Sequence, residues 1–192
     1  MPATTDARHD WCKWQNAAAQ RLMAPHRAAD ANDDFMPHAA VKLVHMAPDD
    51  QCLYRSVLAA LEDIGHHQSA FTVHRLRQLV QQGCEKNAAR KVKIGAWAIP
   101  LLEHLAAQNQ TLGDLAHRTT LPGQAGWGGI KEVAVLASEL EVFIEIWVAS
   151  LHRPGYVLWF EAGRASSKAT GVARLRYNGI NHYDFLQVRQ SS

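Results

Sequence analysis

The sequence predicts an α+β domain in which helices come first and pack on a small, mostly antiparallel sheet. Three observations lead there. Apolar residues recur at helical spacing in several segments between Leu53 and Leu140. After residue 141 the pattern changes to β-branched and aromatic runs separated by turn residues. The links between the last runs are short, which favours antiparallel pairing, and helices followed by strands is the α+β arrangement.

Residues 1–40 are rich in Ala, Asp and His with weak periodicity. Trp11 to Met23 fits a helix, and Pro25 and Pro37 interrupt the pattern on either side of AADANDD. This part reads as a helical or partly ordered extension ahead of a patterned domain at 41–192. Residues 41–46 alternate as a short strand. Pro48, Asp49 and Asp50 form a turn, after which Leu53, Val57, Leu61 and Ile64 recur at helical spacing up to the stop signal Gly65. Helices are expected over 71–83 and 97–108, with Pro100 in the first turn of the latter, and over 130–140 after the turn-rich LPGQAGWGG. Strands follow at 142–149, 155–160, 172–177 and 182–188.

With 192 residues, 47% hydrophobic and 20% charged, the chain can bury one core without staples. The balance of 20 Lys+Arg against 18 Asp+Glu gives no electrostatic case for nucleic acid or an anionic membrane as partner. No run approaches the roughly 18 apolar residues of a membrane span, and the first residues lack the apolar core of a secretory leader. Three cysteines, none at CxxC spacing, point to a reducing compartment rather than a disulfide framework. The expectation is a cytoplasmic protein.

Cys52 falls at the start of a helix, where free N–H groups and the helix dipole favour a thiolate. Position alone also fits a small buried residue, and Cys12 and Cys84 read as structural or incidental. A nucleophilic thiol needs a base and a group to orient it. Of eleven histidines, His182 stands apart: it opens a strand after the turn NGIN, and Asp184 follows at i+2, on the same strand face. A surface His-x-Asp pair has the same spacing. His45, His74, His104 and His117 read as packing or surface residues. No cluster has metal spacing, no phosphate-binding loop follows a strand, and no cofactor is implied.

Three segments in order resemble the ovarian-tumour (OTU) family of cysteine proteases. Asp49-Asp50-Gln51-Cys52-Leu53-Tyr54-Arg55-Ser56-Val57 is similar to its nucleophile motif D-G-[ND]-C-L-[FY]-R-[AS]-[VIL]. Trp127-Gly128-Gly129 and the following IKEVAVLASELEVFIEIW resemble its W-G-G-x-x-E helix running into a strand. Leu175-Arg176-Tyr177 with Asn181-His182-Tyr183-Asp184 resembles its closing box.

The resemblance covers roughly residues 41–188 and implies a papain-like fold and a deubiquitinase. Cys52 would be the nucleophile, His182 the base and then the acid, and Asp184 the orienter. Asp49 matches an acidic residue that shapes the oxyanion loop and in some members supports the His. Asp50, Gln51 and Cys52 would form that loop, and Trp127, Gly128, Gly129, Asn181 and Tyr183 would line the substrate path. The implied partner is ubiquitin or polyubiquitin, and the implied location is the cytoplasm, or a host cytosol for a viral protein or secreted effector. Asp50 stands where the family has Gly, and Gln51 where it has Asn or Asp. Two alternatives stay open: an OTU-like peptidase cutting a non-ubiquitin polypeptide, and a catalytically weak ubiquitin-binding module. Docking of a partner's body is expected at 66–94 or at 150–171, where Arg153, Arg164 and Lys168 lie near Tyr156 and Trp159 in sequence.

Overall fold

A computed structural model describes residues 35–66, 71–86, 91–94, 97–106, 108–163 and 171–189. The chain runs β1 (Phe35–Pro37), β2 (Val41–Val44), α1 (Cys52–Asp63), α2 (Val73–Lys86), β3 (Lys91–Ile94), β4 (Trp97–Pro100), α3 (Leu101–Ala106), α4 (Leu112–Arg118), α5 (Ile130–Glu139), β5 (Phe143–Ala149), β6 (Gly155–Ala162), β7 (Val172–Tyr177) and β8 (Tyr183–Val188). The strands join in one sheet of order β2-β8-β7-β5-β6-β3-β4, with β1 paired to β6.

α1 forms where its apolar spacing predicts. Leu53, Tyr54, Val57 and Leu61 are at most 1% exposed and turn toward β7 and β8, which α1 covers. Burying each of the three aliphatic side chains stabilises the fold by about 1.5–3 kcal/mol. α2 packs on α4 and α5, so the helices share one face of the sheet and one main core. A smaller cluster of Met36, Val41, Trp147, Tyr156 and Leu186 accompanies it.

Three expectations are corrected. Trp97–Pro100 is a strand paired antiparallel with Lys91–Ile94, and the helix begins only at Leu101. Proline pushes the residue before it out of the helical region, so Ile99 stays extended. Phe35–Pro37 pairs with Gly155–Val157, so residues 35–40 belong to the sheet rather than to an extension ending at 40. The rest of that extension, from Trp11 to Met23 onward, lies outside the described residues. Tyr156 and Trp159 are each 7% exposed, Tyr156 packed in the smaller cluster and Trp159 in the main core; the docking surface expected there loses both aromatics. Arg164 and Lys168 lie outside the described residues.

β5 and β7 run parallel; the other pairings are antiparallel. β6 runs back beside β5, and β7 then lies on the other side of β5, which forces the parallel pair. This arrangement puts the two ends of the domain together: β2 leads into the loop before Cys52 and lies against β8, which follows His182.

Candidate active site

Cys52 is the first residue of α1 and is 5% exposed. Burial pushes its thiol up; the backbone N–H groups of Tyr183 and Leu53 pull it down, and the Asp49 and Asp184 carboxylates push it up again. The net direction is upward, which reverses the expectation from its helix N-terminus. Desolvation of the thiolate outweighs the two backbone N–H groups at this depth. The resting group is therefore a thiol, and nucleophilic attack from it needs a base.

His182 is set by the loop between β7 and β8. Asn178 Oδ1 accepts from the N–H of Ile180, Asn181 and His182, each at 2.9 Å. The Asn178 N–H closes the hairpin onto His182 O at 3.0 Å, and Tyr177 Oη donates to Ile180 O at 2.7 Å. Gly179 takes a φ of +84° in this turn, where a side chain would be strained.

Asp184 is fully buried and has partners on both carboxylate oxygens. Its Oδ1 accepts from His182 Nε2 at 3.0 Å and from the Met46 N–H at 3.0 Å, with His45 Nδ1 at 3.5 Å. Its Oδ2 accepts from Arg176 Nη1 at 3.0 Å, across the β7–β8 ladder. Burial raises its pKa, but the Met46 N–H, Arg176 and His182 outweigh it and hold the carboxyl below its ordinary value. A carboxylate only accepts, so His182 carries its proton on Nε2. That leaves the Nδ1 lone pair to take a proton.

Asp49 does not meet His182 in any described contact. Its Oδ1 accepts the Gln51 N–H at 2.9 Å, its Oδ2 takes Arg55 at 2.8 Å, and its carbonyl accepts the Cys52 N–H at a long 3.4 Å. It shapes the loop. Gly128 lies against the residue after the thiol: a Cβ there would stand 2.4 Å from Leu53 Cδ2, whereas at Gly129 the nearest atom is 3.7 Å away. The Gly129 N–H is capped by Glu132 Oε2 at 2.7 Å, and Glu132 Oε1 pairs with Arg118. Asn181 is exposed, with Oδ1 accepting from Asn178 Nδ2. Tyr183 is 4% exposed and packs on Tyr177, so only its backbone can face a substrate. An open cleft of about 380 Å³ flanks the loop, lined by Asp50, Gln51, Arg77, Thr119 and Leu121 among others.

No protein-family model matches the chain, and no curated protein matches it in sequence. Solved structures do. The OTU of Hazara virus bound to ubiquitin aligns at 20% identity over 82% of this chain and 87% of that one, with a TM-score of 0.57. The viral OTU domain protease of Dera Ghazi Khan virus aligns at 16% over 84% and 97%, with a TM-score of 0.56. The OTU deubiquitinase of Wolbachia pipientis wMel bound to ubiquitin aligns at 12% over 80% and 99%, with a TM-score of 0.54.

The chain has the OTU fold.

Within the OTU fold the exchange of Gly for Asp50 has a local explanation. Asp50 does not adopt a left-handed backbone conformation, so no glycine is required. Its carboxylate turns to the Gly123 N–H at 3.1 Å and to Arg77 at 3.6 Å. Sequence reading missed Arg77, Arg176 and Asn178 as site residues. Asn178 carried a signal, since Asn before Gly in a tight turn uses its side chain to cap following N–H groups. His45, read as packing or surface, is exposed but stands beside Asp184. Among the described residues no group of three or more His, Cys, Asp or Glu has a geometry that holds a metal, and no helix is long and apolar enough to cross a membrane.

Proposed function

We propose that this chain is a thiol-dependent deubiquitinase, hydrolysing the peptide or isopeptide bond after the C-terminal Gly-Gly of ubiquitin or a ubiquitin-like protein in a cytosolic setting. The observation that carries the reading is the 3.0 Å contact of His182 Nε2 with the buried Asp184, one residue before and one after the Tyr183 N–H that stabilises the Cys52 thiolate. Support also comes from the fold, since neighbours sharing it are described as deubiquitinases and as ubiquitin complexes.

In this mechanism Nδ1 of His182 takes the thiol proton as Sγ of Cys52 attacks the carbonyl carbon. The carbonyl electron pair moves to oxygen, and the Cys52 N–H, held only at a long 3.4 Å by Asp49 O in the resting loop, turns to stabilise that charge, a donor worth about 3–4 kcal/mol. Collapse breaks the C–N bond, and the amine leaves with the proton from His182. Water then cleaves the thioester with His182 again as base. Asp184 keeps the imidazole in one tautomer throughout. Trp127, Gly128 and Gly129 flank the tail of the substrate, and close backbone approach at the glycines suits a Gly-Gly chain. Asn181 and the Tyr183 backbone sit on the His182 side.

Incubation with a panel of di-ubiquitins tests this. Cleavage by the wild-type chain and none by Cys52→Ala is expected. A folded wild-type chain that cleaves no ubiquitin or ubiquitin-like conjugate, but cuts an unrelated polypeptide through Cys52, overturns the substrate and leaves the chemistry.

A further inference from the structure

Arg77 rises from α2 into the loop before Cys52, with its side chain 14% exposed. Nη2 donates to Asp50 O at 2.9 Å; Nη1 donates to Thr119 O at 3.1 Å and Gly126 O at 3.2 Å. The guanidinium lies 4.7 Å from the centre of the Tyr54 ring and 3.6 Å from Asp50 Oδ2. Asp50 Oδ2 in turn accepts the Gly123 N–H. One cation thus binds carbonyls from two loops, and its counter-charge ties the same two loops. A flat fork of five donors suits this; an ammonium does not reproduce it.

The peptide between Asp50 and Gln51 is held at both ends. Its carbonyl is on Arg77, and its N–H is on Asp49 Oδ1 at 2.9 Å. The two groups of a trans peptide point in opposite directions, so a flip breaks both bonds. A carbonyl free to turn would repel the oxyanion forming beside the adjacent Cys52 N–H.

We infer that Arg77 is a positioning residue for acyl transfer: with Asp50 as its counter-charge, it locks the Asp50–Gln51 peptide and fastens the nucleophile loop to the 119–126 segment that leads into Trp127-Gly128-Gly129. The inference rests on the proposed role of Cys52 as nucleophile. Arg77 acts on the loop and does not touch the reacting atoms. It gives Asp50, the departure from the OTU motif, a task that glycine lacks.

The test compares two reactions of Cys52 and uses no ubiquitin. Acetylation by p-nitrophenyl acetate forms the S–C bond, releases p-nitrophenolate and passes through an oxyanion; alkylation by iodoacetamide also consumes the thiol but forms none. In Arg77→Lys, which keeps the charge, and in Arg77→Ala, acetylation falls roughly tenfold or more while alkylation stays within about twofold of wild type. Asp50→Asn, which keeps an acceptor for Gly123, loses less than Asp50→Ala. If the two reactions keep their wild-type ratio in both Arg77 variants, whether unchanged or falling together with Tm, the inference is overturned. A chain that shows the split yet cleaves no ubiquitin substrate retains the inference and loses only the substrate reading.

Discussion

His182 Nε2 and Asp184 Oδ1 stand 3.0 Å apart at the start of β8, two residues apart in sequence, with Arg176 on the other carboxylate oxygen. Strand spacing puts the two side chains on one face, Asn178 fixes the turn that carries His182, and the Met46 N–H with the cross-strand arginine keeps the carboxylate charged where water is excluded. Asp49, the other candidate orienter, spends both oxygens on Gln51 and Arg55.

Asp184→Asn therefore lowers kcat by about a hundredfold or more, because the amide no longer enforces the Nε2–H tautomer. Asp49→Asn lowers it less, since it loosens the loop without touching the imidazole. Steady-state kinetics on a fluorogenic ubiquitin substrate separates the two; a larger loss at Asp49 with KM unchanged transfers the orienting role to it.

The Asp184 carboxyl is held below its ordinary value of 3.8. A depressed native value means that its stabilisation is complete above 3.8 and is lost as the pH falls through the native value. Asp184→Asn should cost about 3 kcal/mol near neutral pH, and the difference from wild type should shrink toward zero in acid. Urea unfolding at a series of pH values reads this, and a difference that grows in acid contradicts it.

Burial raises the Cys52 thiol, so its alkylation rate should keep rising with pH above the ordinary thiol range. A plateau already at neutral pH would mean a resting thiolate, and the raised thiol would be wrong.

Gly128 and Gly129 should differ. Gly128→Ala drives a methyl into the buried Leu53, costs about 1–3 kcal/mol and shifts the residue after the nucleophile. Gly129→Ala meets only an ordinary contact and should change Tm little. Thermal melts with parallel kinetics check this, and equal losses at both positions refute it.

What was legible in the sequence was local. Cys52 at a helix start, and His182 with Asp184 on one strand face, follow from spacings of a few residues, and β7 appears over the span its pattern predicts. Trp97–Pro100 was misread because four apolar residues fit a strand or a helix equally well; only pairing with Lys91–Ile94 decides. Arg77 was invisible for the opposite reason: its hydrogen-bond partners lie 27 to 49 positions away. The sign of the Cys52 shift depends on burial, which no motif encodes.

Ubiquitin carrying a C-terminal electrophile, followed by peptide mapping, tests the central claim most directly. Wild type should form one covalent adduct, at Cys52, and Cys52→Ala none, with the same far-UV spectrum and melting behaviour. His182→Ala should form it far more slowly. A folded wild-type chain that gives no adduct, or gives one at Cys84 instead, would contradict the account.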